Sequence, residues 1–350
     1  MPLPILPRLA LLLSLLLPTA APALERVATF GDNPGDLTML LYRPEGHDGA
    51  LPLVVALHGC TMSADSFDDE TGLTALADAQ GLLLLFPEQN DDNQPHKCFR
   101  WYDERDNRPG DGESASIHSM IASLLDSGAA DPEQVFVMGL SAGGAMSAAL
   151  LANYPDLFAG GAIVAGLPYD CNRQRSSWDG WWYSLRWSRM NPYLDGADAS
   201  YACGVKSWFP TVDRAPRDWA GYVTEKLDSD LLAALEADPA LWPRVSIWQG
   251  DADETVDPGN LEELADQWTA VQGLDPEAPD AEDTIAGATR KRYLDAQGVV
   301  RVETWDLPTL PHAVPVDEDS APACGIAEGA YMNEGEICAV REIARFWGLL

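Results

Sequence analysis

Five apolar runs punctuate the chain as far as residue 250: LPLVVALHG (51–59), GLLLLFPE (81–88), EQVFVMGL (133–140), GGAIVAGL (160–167) and RVSIWQG (244–250). Each is continuous rather than alternating, the pattern of a strand covered on both faces. Amphipathic or small-residue stretches separate them and predict helices over roughly 69–80, 112–127, 142–153 and 259–272. A β-hairpin is expected within TRKRYLDAQGVVRVETWDLP (289–308), turning at Ala296-Gln297-Gly298, and a last helix within ICAVREIARFWGLL (337–350). Strands and helices alternating in this way predict an α/β architecture, a mainly parallel central sheet flanked by helices.

Two segments depart from this rhythm. Residues 168–225 carry Trp178, Trp181, Trp182, Tyr183, Trp187, Tyr193, Tyr201 and Trp208 with little periodicity, and read as an aromatic-rich insertion over one end of the sheet. Its aromatics serve either a substrate cleft or a satellite core. At the start, LPRLALLLSLLLPTAAPA holds one charge, Arg8, and an apolar run interrupted by Pro18. The run leads to a small-x-small site at Ala21-Pro22-Ala23, so residues 1–23 read as a secretory signal peptide. The expected product is secreted, extracellular or periplasmic, with residues 24–350 forming one catalytic-size domain.

Export changes how the cysteines read. Cys60, Cys98, Cys171, Cys203, Cys324 and Cys338 are even in number and lack CxxC spacing, which favours three disulfides over a metal site. Six cysteines allow about 15 pairings, and spacing does not choose among them. The formal net charge of −33, from 55 acidic against 22 basic residues, argues against nucleic acid and anionic membranes as partners. Such a surface fits adaptation to salt or simply an acidic secreted protein. The oligomeric state is open, with a monomer the default expectation.

The chemistry concentrates at VMGLSAGGAM (137–146). Gly-x-Ser-x-Gly alone is a weak signal, but here a strand enters it and a helix leaves it. Such an elbow holds the central Ser141 in strained backbone geometry with its hydroxyl clear of the sheet, as a nucleophile requires. In strand–elbow–helix hydrolases an acid and then a histidine follow the serine along the chain. Of five histidines, His47, His58, His96 and His118 precede Ser141, leaving His312 as the base. The acid belongs in QGDADET (249–255), where spacing from the glycine favours Asp253 over Asp251. The loop LHGCTMS (57–63) follows an early strand. Its Cys60 N–H, with that of Ala142, would form the oxyanion hole, and His58 would position the loop. No metal or cofactor is called for.

Together LHGC, KCFRWYDERDNRPGDGESASI, GLSAGGAMSAAL, AGLPYDC, GDADETVDPGNLEELADQW, PHAVPVD and ICAVREIARFWGL resemble the catalytic domain of secreted short-chain-length poly(3-hydroxyalkanoate) depolymerases. Feruloyl and acetylxylan esterases of the same α/β-hydrolase superfamily share much of this pattern. The resemblance runs from about residue 35 to the C-terminus. It implies an α/β-hydrolase fold with Ser141, Asp253 and His312 as nucleophile, acid and base, and supports Cys60 in the oxyanion loop. It also implies disulfides Cys60–Cys98, Cys171–Cys203 and Cys324–Cys338, and a place for Trp101 in the acyl pocket or the core. Two departures stand out: no separate substrate-binding domain is expected after the catalytic unit, and the aromatic insertion is longer. The expected function is a serine esterase acting on polyester or oligoester bonds of the poly(3-hydroxybutyrate) type. The alternatives are a feruloyl or acetylxylan-type carbohydrate esterase and a non-catalytic polymer- or glycan-binding protein.

Overall fold

A computed structural model describes residues 24–47, 49–173, 203–205, 213–320 and 324–350. The expected signal peptide (1–23) and all eight aromatics singled out between 178 and 208 lie outside the described residues. In chain order the main strands are β1 (Glu25–Val27), β2 (Thr38–Tyr42), β3 (Leu51–Leu57), β4 (Leu83–Glu88) and β5 (Ala130–Leu140). There follow β6 (Gly160–Val164), β7 (Arg244–Gly250), β8 (Ala281–Ile285), β9 (Ala288–Leu294) and β10 (Val300–Leu307). They form one sheet in the order β1-β2-β4-β3-β5-β6-β7-β10-β9-β8. Its centre, from β4 across to β10, is parallel, and both edges are antiparallel.

The continuous apolar runs have a direct cause. Leu53, Val55 and Leu57 point into one core while Val54 and Ala56 point into the other, because successive side chains of a strand alternate faces. One face is covered by α3 (Gly112–Asp126), α4 (Ala142–Asn153) and α7 (Asn260–Val271), through residues such as Ile117, Met146 and Trp268. The other is covered by α1 (Ala64–Thr71), α2 (Leu73–Gln80) and α8 (Ala339–Trp347), through Phe67, Leu73 and Ile343. Between α4 and α7 along the chain lie α5 (Pro216–Thr224) and α6 (Ser229–Ala237).

Several elements differ from the sequence expectation. The helix expected over 69–80 is two helices, because Gly72 takes a φ of 73° and donates its N–H to Asp68 O, ending α1. That glycine also has no room for a side chain: a Cβ would stand 2.7 Å from the Gly325 nitrogen. The end of the aromatic-rich segment is α5, whose Trp219 and Val223 are fully buried, with the Trp219 indole N–H bonded to Glu263 of α7. The strands β1, β2 and β8 extend the sheet beyond the runs the sequence displays. The hairpin β9–β10 does turn at residues 295–299, with Gly298 at φ 81°. A small separate ladder pairs β11 (Val314–Val316) in parallel with β12 (Met332–Glu334). Among the described residues, no helix is long and apolar enough to cross a membrane.

Candidate active site

Ser141 occupies the single residue between β5 and α4, at φ 57° and ψ −118°. The left-handed region strains a residue with a Cβ, and surrounding contacts must hold it there. They do so on two sides. The Ser141 N–H donates to Val164 O at 2.9 Å, tying the elbow to the end of β6. A Cβ on Gly139 would fall 2.3 Å from the Gly143 carbonyl carbon, and one on Gly143 would fall 2.1 Å from Leu57 O. Both glycines are therefore required for α4 to start this close to β5 and β3.

The expected acid and base, Asp253 and His312, lie on the loops that follow two adjacent parallel strands. Leu307, ending β10, is registered with Gly250, ending β7, so the two following loops emerge side by side. The Ala252 N–H donates to Leu310 O, stitching them together. His312 Nδ1 lies 2.7 Å from Asp253 Oδ2. Asp253 is buried, its Oδ1 accepts the N–H groups of Thr255 and Val256 at 2.8 Å each, and its Oδ2 also accepts from Gln249 Nε2. Burial pushes this carboxyl up. The hydrogen bond and charge of His312, with the Val256 and Thr255 N–H groups, outweigh it and hold the carboxyl below the usual Asp range. An ionised carboxylate only accepts, so Nδ1 of His312 carries the proton and Nε2 is free to act as a base. Asp251 is exposed, and its Oδ1 instead accepts the Thr309 N–H.

Ser141 and His312 line one cavity of about 400 Å³, with Cys60, Ala142, Trp101 and Tyr331 among its walls. Ala142 is the first residue of α4, where a backbone N–H has no acceptor within the helix. Cys60 is held by its disulfide to Cys98, and the next residue, Thr61, donates its N–H to His96 O. Fully buried His58 donates from Nδ1 to Gly59 O and accepts the Gln89 N–H at Nε2. Burial, reinforced by Lys97, lowers its pKa to about 4 despite the Gly59 contact, so the ring is a neutral brace for the loop.

A second brace was not legible in the sequence. Glu113 of α3 is fully buried, accepts the Arg100 N–H at 2.7 Å and the Gln89 side-chain amide, and so joins the loop carrying Trp101 to the His58 strut. Burial and the nearby Asp106 raise its pKa to about 8. His96, set aside as the base on chain order, also lines the cavity, where its backbone carbonyl accepts the Thr61 N–H. Tyr331 is another of the wall residues missed; it sits far along the chain, just before β12, which the β11–β12 ladder brings beside the His312 loop.

The remaining disulfides are Cys171–Cys203 and Cys324–Cys338, completing the pairing implied by the family resemblance. Cys171 and Cys203 pack with Trp219 and Leu167 beside the cavity. Among the described residues, no group of three or more His, Cys, Asp or Glu side chains is arranged to hold a metal ion.

The profile of the family described as Esterase PHB depolymerase matches residues 37–201. Poly(3-hydroxyalkanoate) depolymerase C of Paucimonas lemoignei is 35% identical over 329 residues, covering 94% of this chain and 70% of that protein. Feruloyl esterase B of Talaromyces stipitatus is 29% identical over 315 residues, covering 88% of this chain and 77% of that one. An acetyl xylan esterase from Aspergillus awamori superposes with a TM-score of 0.69 at 21% identity, covering 94% of this chain and 100% of its own, and so shares the fold. The chain belongs to the esterase PHB depolymerase family and is an ester hydrolase with an α/β-hydrolase fold.

Proposed function

We propose that the protein is a secreted serine esterase that cleaves the ester bonds of 3-hydroxyalkanoate oligomers or polymers through a covalent acyl-enzyme. The single observation that carries the catalytic part is the Asp253–His312 hydrogen bond at the edge of the cavity that Ser141 lines. Ser141 Oγ attacks the ester carbonyl as Nε2 of His312 takes its proton, and Asp253 stabilises the imidazolium without taking the proton itself. The alkoxide of the tetrahedral intermediate is held by the N–H groups of Cys60 and Ala142, each donor worth about 3 kcal/mol of transition-state stabilisation. Collapse breaks the bond to the leaving alcohol, which departs with the proton from His312. Water then adds to the acyl-serine by the same sequence and frees the acid.

The substrate class rests on the depolymerase at 35% identity, with the Trp101 side chain proposed as a wall for the acyl chain. Export is supported by three disulfides, which persist in oxidising compartments, together with the leader-like residues 1–23. The test is hydrolysis of butyrate esters and of amorphous poly(3-hydroxybutyrate) film. Ser141→Ala should lose on the order of 10⁶ in kcat. Retained activity in that variant would sink the nucleophile assignment. Faster turnover of methyl ferulate than of 3-hydroxybutyrate oligomers would move the protein to the feruloyl branch.

A further inference from the structure

Tyr331 stands against the base and reaches the oxyanion loop. Its ring meets that of His312 edge-on, at 6.2 Å between centroids and 87° between planes. Its hydroxyl lies 3.2 Å from Oγ1 of Thr61, the residue after Cys60. The position is built rather than incidental. The Tyr331 carbonyl accepts the Val314 N–H at 2.9 Å, two residues beyond His312, and β12 continues the pairing. The Cys324–Cys338 disulfide closes the segment, and the Ile326 N–H anchors it to Glu70 O. The loop carrying His312 and the segment carrying Tyr331 are thus tied to each other by backbone hydrogen bonds.

We infer that Tyr331 is a specificity-determining residue that forms the leaving-alcohol side of the cavity and selects alcohols bearing a carbonyl oxygen. The inference rests on the esterase reading above. The base must return its proton to the leaving oxygen, so that oxygen lies within hydrogen-bond reach of His312. Whatever is attached to it extends along the wall beside the imidazole, where Tyr331 is the lining residue whose ring meets that of His312. Proton counting gives the chemistry. Two hydroxyls bonded to each other use one of their two hydrogens, which leaves the other to donate. Either hydroxyl can donate in this contact; because Tyr331 lines the cavity and Thr61 does not, the arrangement assigned is the one in which Thr61 donates to the phenol oxygen and the phenol hydrogen is left for the cavity. A free donor there favours an acceptor on the departing alcohol. A hydroxyacyl unit, whose carbonyl lies two carbons from the leaving oxygen's carbon, supplies one; a plain alkyl alcohol does not.

The experiment compares two butyrate esters sharing one acyl group, those of methyl 3-hydroxybutanoate and of 2-pentanol, on the full chain and on Tyr331→Phe. Because acylation alone determines kcat/KM here, the ratio of the two values isolates the alcohol. The intact protein should favour the carbonyl-bearing alcohol, and Tyr331→Phe should cut that preference about five- to tenfold, the effect of one hydrogen bond. Thr61→Val should cut it less. A ratio that stays the same in Tyr331→Phe, whether both esters slow together or neither does, overturns the inference while leaving the esterase reading standing. Failure of the intact protein to hydrolyse either ester, with no labelling of Ser141 by a fluorophosphonate, overturns both.

Discussion

The Asp253 carboxylate receives four hydrogen bonds, from Gln249, Thr255, Val256 and His312, and these contacts favour it over neighbouring Asp251 as the proposed acid. In Asp253→Asn an amide would replace an oxygen where donors converge. His312 would then lose its acceptor at Nδ1 and favour the tautomer protonated at Nε2, which cannot take a proton from Ser141. The expected loss is about 10⁴ in kcat with the fold intact. Asp251→Asn should change kcat little, because that side chain only accepts the Thr309 N–H at the surface. Steady-state rates of the two variants on a butyrate ester decide; the reverse ranking would mean that the wrong carboxylate has been chosen. The acid side follows from the same contacts. The depressed carboxyl contributes stability above its unfolded value, and that contribution disappears as pH falls through the lower folded value.

The elbow shows how one strand–helix junction organises the rest of the site. Gly143 packs so closely on β3 that an added methyl would lie 2.1 Å from Leu57 O and 2.7 Å from His58 O. Gly143→Ala must therefore drive the start of α4 away from the oxyanion loop and separate the Ala142 N–H from that of Cys60. A loss of about 10² in kcat is expected, with a stability loss of about 1–3 kcal/mol visible in urea unfolding. Full activity with lowered stability would remove these amides from the proposed oxyanion hole. This junction was readable in the sequence because strand, glycines and helix are consecutive there. So were the central strands, since burial on both faces makes their residues uniformly apolar. The short edge strands β1 and β2 carried no such signature, and α5 was hidden because only Trp219 and Val223 of its nine residues are buried. Chain order pointed to His312. Tyr331 and Glu113 were illegible because their positions follow from strand pairing and from a buried hydrogen-bond network, which leave no local pattern.

Across the described residues the acidic excess and the buried carboxyls whose pKa burial raises act in the same direction. Burial raises Glu113 to about 8, Glu263 to about 7 and Asp68 to about 6. Each keeps its proton in the native state over a range where the unfolded chain has released it, so stability is full below the ordinary carboxyl values and falls as pH rises through the folded ones. His58 opposes this: lowered to about 4, it stays neutral when folded, while the unfolded ring takes up a proton below about 6.5. These raised carboxyls, with Asp266 also raised to about 6, outnumber that one ring, and a formal net charge of −33 at pH 7 adds repulsion that grows as the carboxylates ionise. The urea midpoint should therefore fall as pH is raised from about 5 to about 8. Screening shortens the reach of surface charge to about 3 Å at 1 M salt, so sodium chloride should raise the midpoint more at the upper pH than at the lower. Glu113→Gln should flatten the decline by removing its largest single contributor, measured as the difference in midpoint between the two pH values. A midpoint that climbs steadily over the same range would mean that these carboxyls are ionised in the folded protein.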